Sequence, residues 1–148
     1  VMLLIPGTSK YKQYFALLGT FGATAALAYP LFDPYPFPHV TILSFIIGHV
    51  ALLGNALLYL FKNYEASLLN LKNVTVITFS LNALIGVVNL VVGGDYGFLN
   101  KPPLVGNHGL LANYLIVSSV LVAAISLTAK VVEIFLQQRA EKMIQEKA

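Results

Sequence analysis

The sequence predicts an all-α transmembrane protein: four complete membrane-spanning helices followed by a helical extension. Three observations predict it. Of the 148 residues, 57% are hydrophobic and only 10% are charged, where soluble domains carry roughly 25% charge. The mean hydropathy is +0.77. The apolar residues gather into runs of the length a bilayer demands, about 20 residues each, with the charges between the runs. A single integral membrane domain over residues 1–148 is the expectation at this length.

Taken in order, Val1 to Ile5 is too short for the apolar core of a signal peptide. It reads as the cytoplasmic end of a helix whose beginning lies upstream of Val1. Pro6 to Lys12 is a turn and a basic approach to the membrane. The first span is expected at about 14–29, closed by Pro30. Gly19 with Ala23, and Gly22 with Ala26, form two small-residue stripes of the kind that lets helix backbones approach closely. Leu31 to Pro38 holds three prolines and cannot be helical throughout.

The second span is expected at about 39–61, and it carries His39, His49 and Asn55. Lys62 to Asn73 is a polar connection, and Asn73-Val74-Thr75 matches a glycosylation pattern that chance often produces. The third span, about 74–92, places Asn82 and Asn89 on one face, because seven residues are nearly two helical turns. Gly93-Gly94-Asp95 ends it with turn chemistry. Tyr96 to His108 is the longest irregular stretch. The fourth span is expected at about 109–129. Residues 130–148 keep a helical period, with Val132, Phe135, Leu136, Ala140, Met143 and Ile144 on one stripe. That reads as an amphipathic cytoplasmic extension of the last helix, either free or packed on a protein partner.

Eight of the nine basic residues fall on one side of this arrangement; only Lys101 falls on the other. Positive residues favour the cytoplasm. The expected topology therefore has the 62–73 loop and the C-terminus inside, and the 30–38 and 93–109 loops outside. The net charge of +3 follows this topology signal rather than a groove for nucleic acid, which is not expected as a partner.

His49 is the first candidate for chemistry. It sits ten residues beyond His39, which puts it about 15 Å into the bilayer. An imidazole at that depth needs a hydrogen-bond partner or a chemical task. The structural reading gives it Asn82 or Asn89 as partner; the functional one makes it a catalytic base. His39 at the outer mouth is either a water-facing residue at the helix start or a second member of the site, and the same choice applies to His108. No acid lies within a span, so a proton relay within this chain is not expected. The histidine spacings fit no zinc pattern. No phosphate loop, GxSxG or HExxH motif is present, and neither a metal nor a cofactor is expected. With no cysteine in the chain, disulfides and a thiol nucleophile are excluded within these residues.

The run FPHVTILSFIIGHV, with Phe-Pro-His followed ten residues later by a second histidine, resembles a stretch of YwaF-like bacterial integral membrane proteins. So does VVNLVVGGDYGFLNKPP, an asparagine-bearing helix leading into a Tyr-x-Phe-Leu-x-x-Lys-Pro loop. The resemblance covers most of the chain from about Tyr14. That family is similar to a eukaryotic transmembrane acyltransferase acting on phospholipids. The resemblance implies about six spans in the intact protein, a bacterial cell membrane, and a nucleophilic cysteine on a helix upstream of Val1. It matches His49 to the catalytic histidine, with His39 beside it and Asn89, Tyr96 and Asn82 as supporting or substrate-binding residues. The chain departs from the pattern at Asn100, where relatives often carry a further cysteine.

Three functions stay open on this reading. One is a lipid-modifying acyltransferase in which His49 assists the upstream cysteine, with membrane lipids as its partners. The second is a non-enzymatic scaffold or accessory subunit engaging a protein through the 130–148 helix. The third, ranked last, is a small-solute transporter using His39, Asp95, Tyr96 and His108 as an outer vestibule.

Overall fold

A computed structural model describes residues 7–103 and 105–146. The helix ending expected at Val1 to Ile5 and the last basic residue, Lys147, lie outside the described residues. Among the described residues the structure is helical, without strands. It consists of α1 (Lys10–Ala28), α2 (Val40–Asn63), α3 (Leu71–Val92) and α4 (Leu110–Gln145). Single 3-10 turns at Ala66–Leu68 and Tyr96–Phe98 punctuate two of the connections.

Three of the four helices, α2, α3 and α4, are long and apolar enough to cross a membrane. The expected first span is a helix but is not among those three. Its 19 residues would reach about 28 Å, yet the first turn is spent on Lys10, Lys12 and Gln13. Ser9 caps α1 by accepting from the Lys12 backbone N–H at 3.2 Å, which draws those polar residues into the helix.

Similar capping moves the other boundaries. His39 is the N-cap of α2 rather than its first helical residue. Asn70 caps α3 by accepting from the Asn73 N–H at 2.9 Å, so α3 begins at Leu71 and not near Val74. The glycosylation-like triplet is therefore inside a helix, with Val74 buried and the Thr75 hydroxyl donating to the Leu71 carbonyl. Gly93, at φ 67°, closes α3 in the left-handed conformation that glycine adopts without steric cost. α4 runs unbroken for 36 residues, so the last membrane helix and the expected amphipathic extension are one element.

The chain packs into two compact units, Val1–Leu69 with Leu127–Ala148, and Asn70–Ser126. In the first, α1 lies against α2. Ala16, Leu17 and Ala23 of α1 and Ala56 and Leu60 of α2 are fully buried. Of the two small-residue stripes, the one through Gly19 and Ala23 serves this contact. A methyl at Gly19 would lie 3.4 Å from Leu52 and 3.6 Å from Ala56. At Gly22, on the other stripe, it would meet nothing within 4 Å. Gln13 is completely buried and holds Glu65 by its backbone, donating to the carbonyl at 3.0 Å and accepting from the N–H at 3.0 Å. The Tyr64 hydroxyl donates to the Ala129 carbonyl at 3.4 Å, and the Phe61 and Phe135 rings lie 5.5 Å apart.

In the second unit, α3 and the first part of α4 are joined by polar bonds in an apolar setting. The Asn82 amide donates to the Ser118 hydroxyl at 3.0 Å, both buried. The Tyr114 hydroxyl donates to the Phe79 carbonyl at 3.0 Å. Away from these contacts the helix surfaces are apolar and exposed, as at Ile47, Leu58, Leu84 and Leu90. A soluble monomer avoids contiguous apolar surface of that extent, and lipid tails cover it at no cost.

Candidate functional site

The two halves of the expected site fall in different units, and each is described by its own bonds. His39 and His49 belong to the first unit. Asn82, Asn89 and Tyr96 belong to the second.

α2 positions both histidines. His39 stands at its N-terminus, where the imidazole Nδ1 accepts from the Thr41 backbone N–H at 3.3 Å and lies 2.9 Å from the Thr41 hydroxyl. A backbone N–H only donates, so Nδ1 carries the lone pair and Nε2 the hydrogen in the neutral ring. The ring stacks on Tyr35 at 4.3 Å between centroids, 17° from parallel. His39 is thus a helix cap with an aromatic lid.

His49 is wired the opposite way. Its Nδ1 lies 2.7 Å from the Phe45 carbonyl one turn earlier on the same helix. A carbonyl only accepts, so Nδ1 carries the hydrogen and Nε2 holds the free lone pair. The ring is half-buried and leans on Phe45 at 4.2 Å. The partner expected on a neighbouring helix is replaced by a carbonyl of its own helix. Asn82 and Asn89 spend their amides elsewhere.

His49 lines a groove of about 470 Å³ together with Asp33, Thr41, Ser44, Phe45, Gly48 and Leu52. On α2, Thr41, Phe45, Gly48, His49 and Leu52 recur every three or four residues, which is one helix face. Asp33 comes from the proline loop. Sequence reasoning looked for an acid within the spans and so missed one that the loop brings back to α2. Ser44 donates to the Thr41 carbonyl at 3.0 Å, as a hydroxyl in an apolar helix commonly does.

The loop after α3 is held by asparagines. The buried Asn89 amide accepts from the Tyr96 N–H at 2.8 Å and donates to the Tyr96 carbonyl at 3.0 Å. Asn113, buried at the start of α4, accepts from the His108 N–H at 2.9 Å and donates to the Asn100 carbonyl at 3.0 Å and the Asn107 side chain at 3.2 Å. Asn100 donates to the Gly94 carbonyl at 2.7 Å, and its own N–H reaches Asp95 at 2.8 Å. His108 Nε2 lies 2.7 Å from the Val105 carbonyl. The Tyr96 ring remains exposed while its backbone is gripped. The expected vestibule residues Asp95, Tyr96 and His108 are all engaged in folding this loop. Asn113 was not singled out from the sequence; nothing in an isolated Leu-Ala-Asn-Tyr marks it as a loop anchor. Among the described residues, no three histidine, aspartate or glutamate side chains gather as metal ligands would.

The fold and the groove define a helical membrane protein with an imidazole in a groove on one of its apolar helices. The sequence profile of the TMEM164 family matches residues 1–130, and the chain belongs to that family. No curated protein and no solved structure matches it. The match ends at Lys130, ahead of the stretch of α4 that carries Glu133, Arg139, Glu141 and Lys142.

Proposed function

We propose that this membrane protein transfers acyl groups between lipids, with His49 as general base toward a thiol nucleophile outside the 148 residues. The observation that carries the reading is the bond from His49 Nδ1–H to the Phe45 carbonyl at 2.7 Å. It leaves Nε2 as an acceptor in a groove on an apolar helix. A general base needs that tautomer, held in that way. The likeness of the two-histidine helix to the YwaF-like family, and through it to a eukaryotic phospholipid acyltransferase, supports the same chemistry.

In the first half-reaction Nε2 takes the thiol proton and the thiolate attacks the ester carbonyl of a donor lipid. The ester C–O bond breaks, the departing alkoxide regains the proton from the imidazolium, and a lysolipid leaves. In the second half, Nε2 takes the proton of an acceptor lipid hydroxyl. That oxygen attacks the thioester and the thiolate departs, to be reprotonated by the imidazolium. The family resemblance also implies a role for His39, the cap of α2, and for Asn89, Tyr96 and Asn82 as supporting or substrate-binding residues.

The test is transfer of a labelled acyl chain from a phospholipid to a lysophospholipid by the full-length protein in lipid nanodiscs. His49→Ala is expected to lower the rate by about 10²–10⁴-fold, and His108→Ala to leave it unchanged. Transfer at the wild-type rate by His49→Ala would end the reading.

A second reading has one observation of its own. α4 continues as helix to Gln145, beyond the family match, with Phe135, Met143 and Ile144 exposed between charges. As an accessory subunit, the protein would hold a partner there. Deletion of residues 131–148 would then release a co-purifying protein and leave lipid composition unaltered.

A further inference from the structure

Three glycines sit inside helices with nothing within 4 Å of where a side chain would begin: Gly22 on α1, and Gly48 and Gly54 on α2. Glycine is unfavourable in a helix interior relative to alanine, and no close packing at these positions calls for it. Of the three, Gly48 alone lines the groove that holds His49, and it is the adjacent residue in sequence.

The walls of the groove are graded. Asp33, Thr41 and Ser44 lie toward the start of α2, while Phe45 and Leu52 make the apolar part. A membrane lipid has the same grading, from polar headgroup through ester to hydrocarbon. The volume of about 470 Å³ lies within the range of about 300–1,000 Å³ typical of small-ligand sites. α2 is itself long and apolar enough to sit in the bilayer, so a lipid reaches the groove sideways without entering water.

We propose that Gly48 sets the width of this groove, and that the occupant is one unbranched acyl chain of a membrane lipid lying against the missing side chain of Gly48. That its ester then lies at the His49 ring rests on the acyl-transfer reading; the seat for the chain does not. A side chain at position 48 would project into the space the chain fills, whereas one at Gly22 or Gly54 would project outside the groove.

The experiment uses the full-length protein in nanodiscs doped with a phosphatidylglycerol bearing a mid-chain diazirine on one acyl chain. After photolysis, labelled peptides are mapped by mass spectrometry, and circular dichroism reports helix content. Wild-type protein is expected to carry label on residues 41–52. Gly48→Leu should lose about tenfold of that label, the size of effect expected from overfilling a packed site. Gly48→Ala should lose about two- to threefold by the same argument, and it decides the matter if the leucine variant fails to fold. Gly22→Leu and Gly54→Leu should keep wild-type labelling. The proposal is overturned if wild-type protein carries no label on that segment, if Gly48→Leu labels like wild type, or if Gly54→Leu loses as much. Label lost in Gly48→Leu from a wild-type protein that transfers no acyl chain would leave this proposal standing and remove only the acyl-transfer reading.

Discussion

Each of the two compact units contains a buried amide that grips a single loop residue by both of its backbone groups. Gln13 holds the N–H and carbonyl of Glu65 in the first, and Asn89 holds those of Tyr96 in the second. The units differ in what remains after such bonds are made. In the second, Asn89, Asn100 and Asn113 are spent on the 93–109 loop, and Asn82 on Ser118. In the first, two imidazoles use only Nδ1 for structure, and one of them lines a groove beside a carboxylate, two hydroxyls and a glycine. Polar groups in an apolar helix are either consumed by the fold or kept for chemistry. The hydrogen bonds consume the polar groups of the second unit, while the α2 groove keeps a ring nitrogen for the chemistry proposed above.

The largest effect that would break this contrast concerns His49. Its one bond is to a carbonyl that already has a helix partner, so His49→Ala should leave the thermal midpoint within about 2 °C. Acyl transfer should fall by the factor given above. A variant that loses activity only by unfolding would move His49 to the structural class and dissolve the difference between the units.

Next come the amide grips, where the expected effects run the other way. Asn89→Ala leaves the Tyr96 N–H and carbonyl without partners, at about 1–3 kcal/mol for such a loss. The midpoint should drop by several degrees, and the Tyr96 amide should exchange faster with deuterated solvent. Gln13→Ala should do the same at Glu65 by a similar amount, because the device is the same. Near-native stability of Asn89→Ala with a selective loss of transfer would instead bring the second unit into the site.

A smaller effect is expected at Asn82. Hydrogen bonds between membrane helices average about 0.6 kcal/mol, so Asn82→Ala should lower stability by about that much. A loss several times larger would show that the Asn82–Ser118 bond anchors more than one helix pair.

The sequence made the helices legible because lipid imposes a length and an apolar composition on any span, and α2, α3 and α4 meet both. α1 is expected as a fourth span because an apolar stretch of fifteen or so residues looks like a short one; the cap at Ser9 puts Lys10, Lys12 and Gln13 into its first turn, and α1 is not among the three helices long and apolar enough to cross a membrane. His49 could be singled out because an imidazole in an apolar run is costly. Its tautomer could not, since that depends on which atom of the ring meets the Phe45 carbonyl. Nor could the role of Gln13 or Asn113 be read, because their partners are backbone atoms of Glu65, His108 and Asn100, and backbone atoms leave no mark on sequence. Asp33 was passed over because a loop of prolines gives no periodicity from which to place a side chain.

The smallest expected effect lies at the base of the first unit, where pH replaces mutation as the probe. The Tyr64 phenol donates to the Ala129 carbonyl at 3.4 Å. Burial first, and then the nearby Glu133 carboxylate, push its ionisation above the usual value of 10.0, while Lys130 pulls weakly the other way. A phenolate has no hydrogen to donate, so the bond to Ala129 exists only in the neutral form. The folded value lies above the unfolded one. The contribution of Tyr64 is therefore complete below pH 10 and is lost as pH rises through the folded value. Thermal midpoints measured from pH 8 to about pH 11 should fall more steeply for the wild type than for Tyr64→Phe, and the two curves should converge at the alkaline end. Parallel curves would mean that the α2–α4 contact in this unit draws on apolar packing such as Phe61 against Phe135. Its polar bond would then count for as little as a surface one, in contrast to the buried amide grips of Gln13 and Asn89.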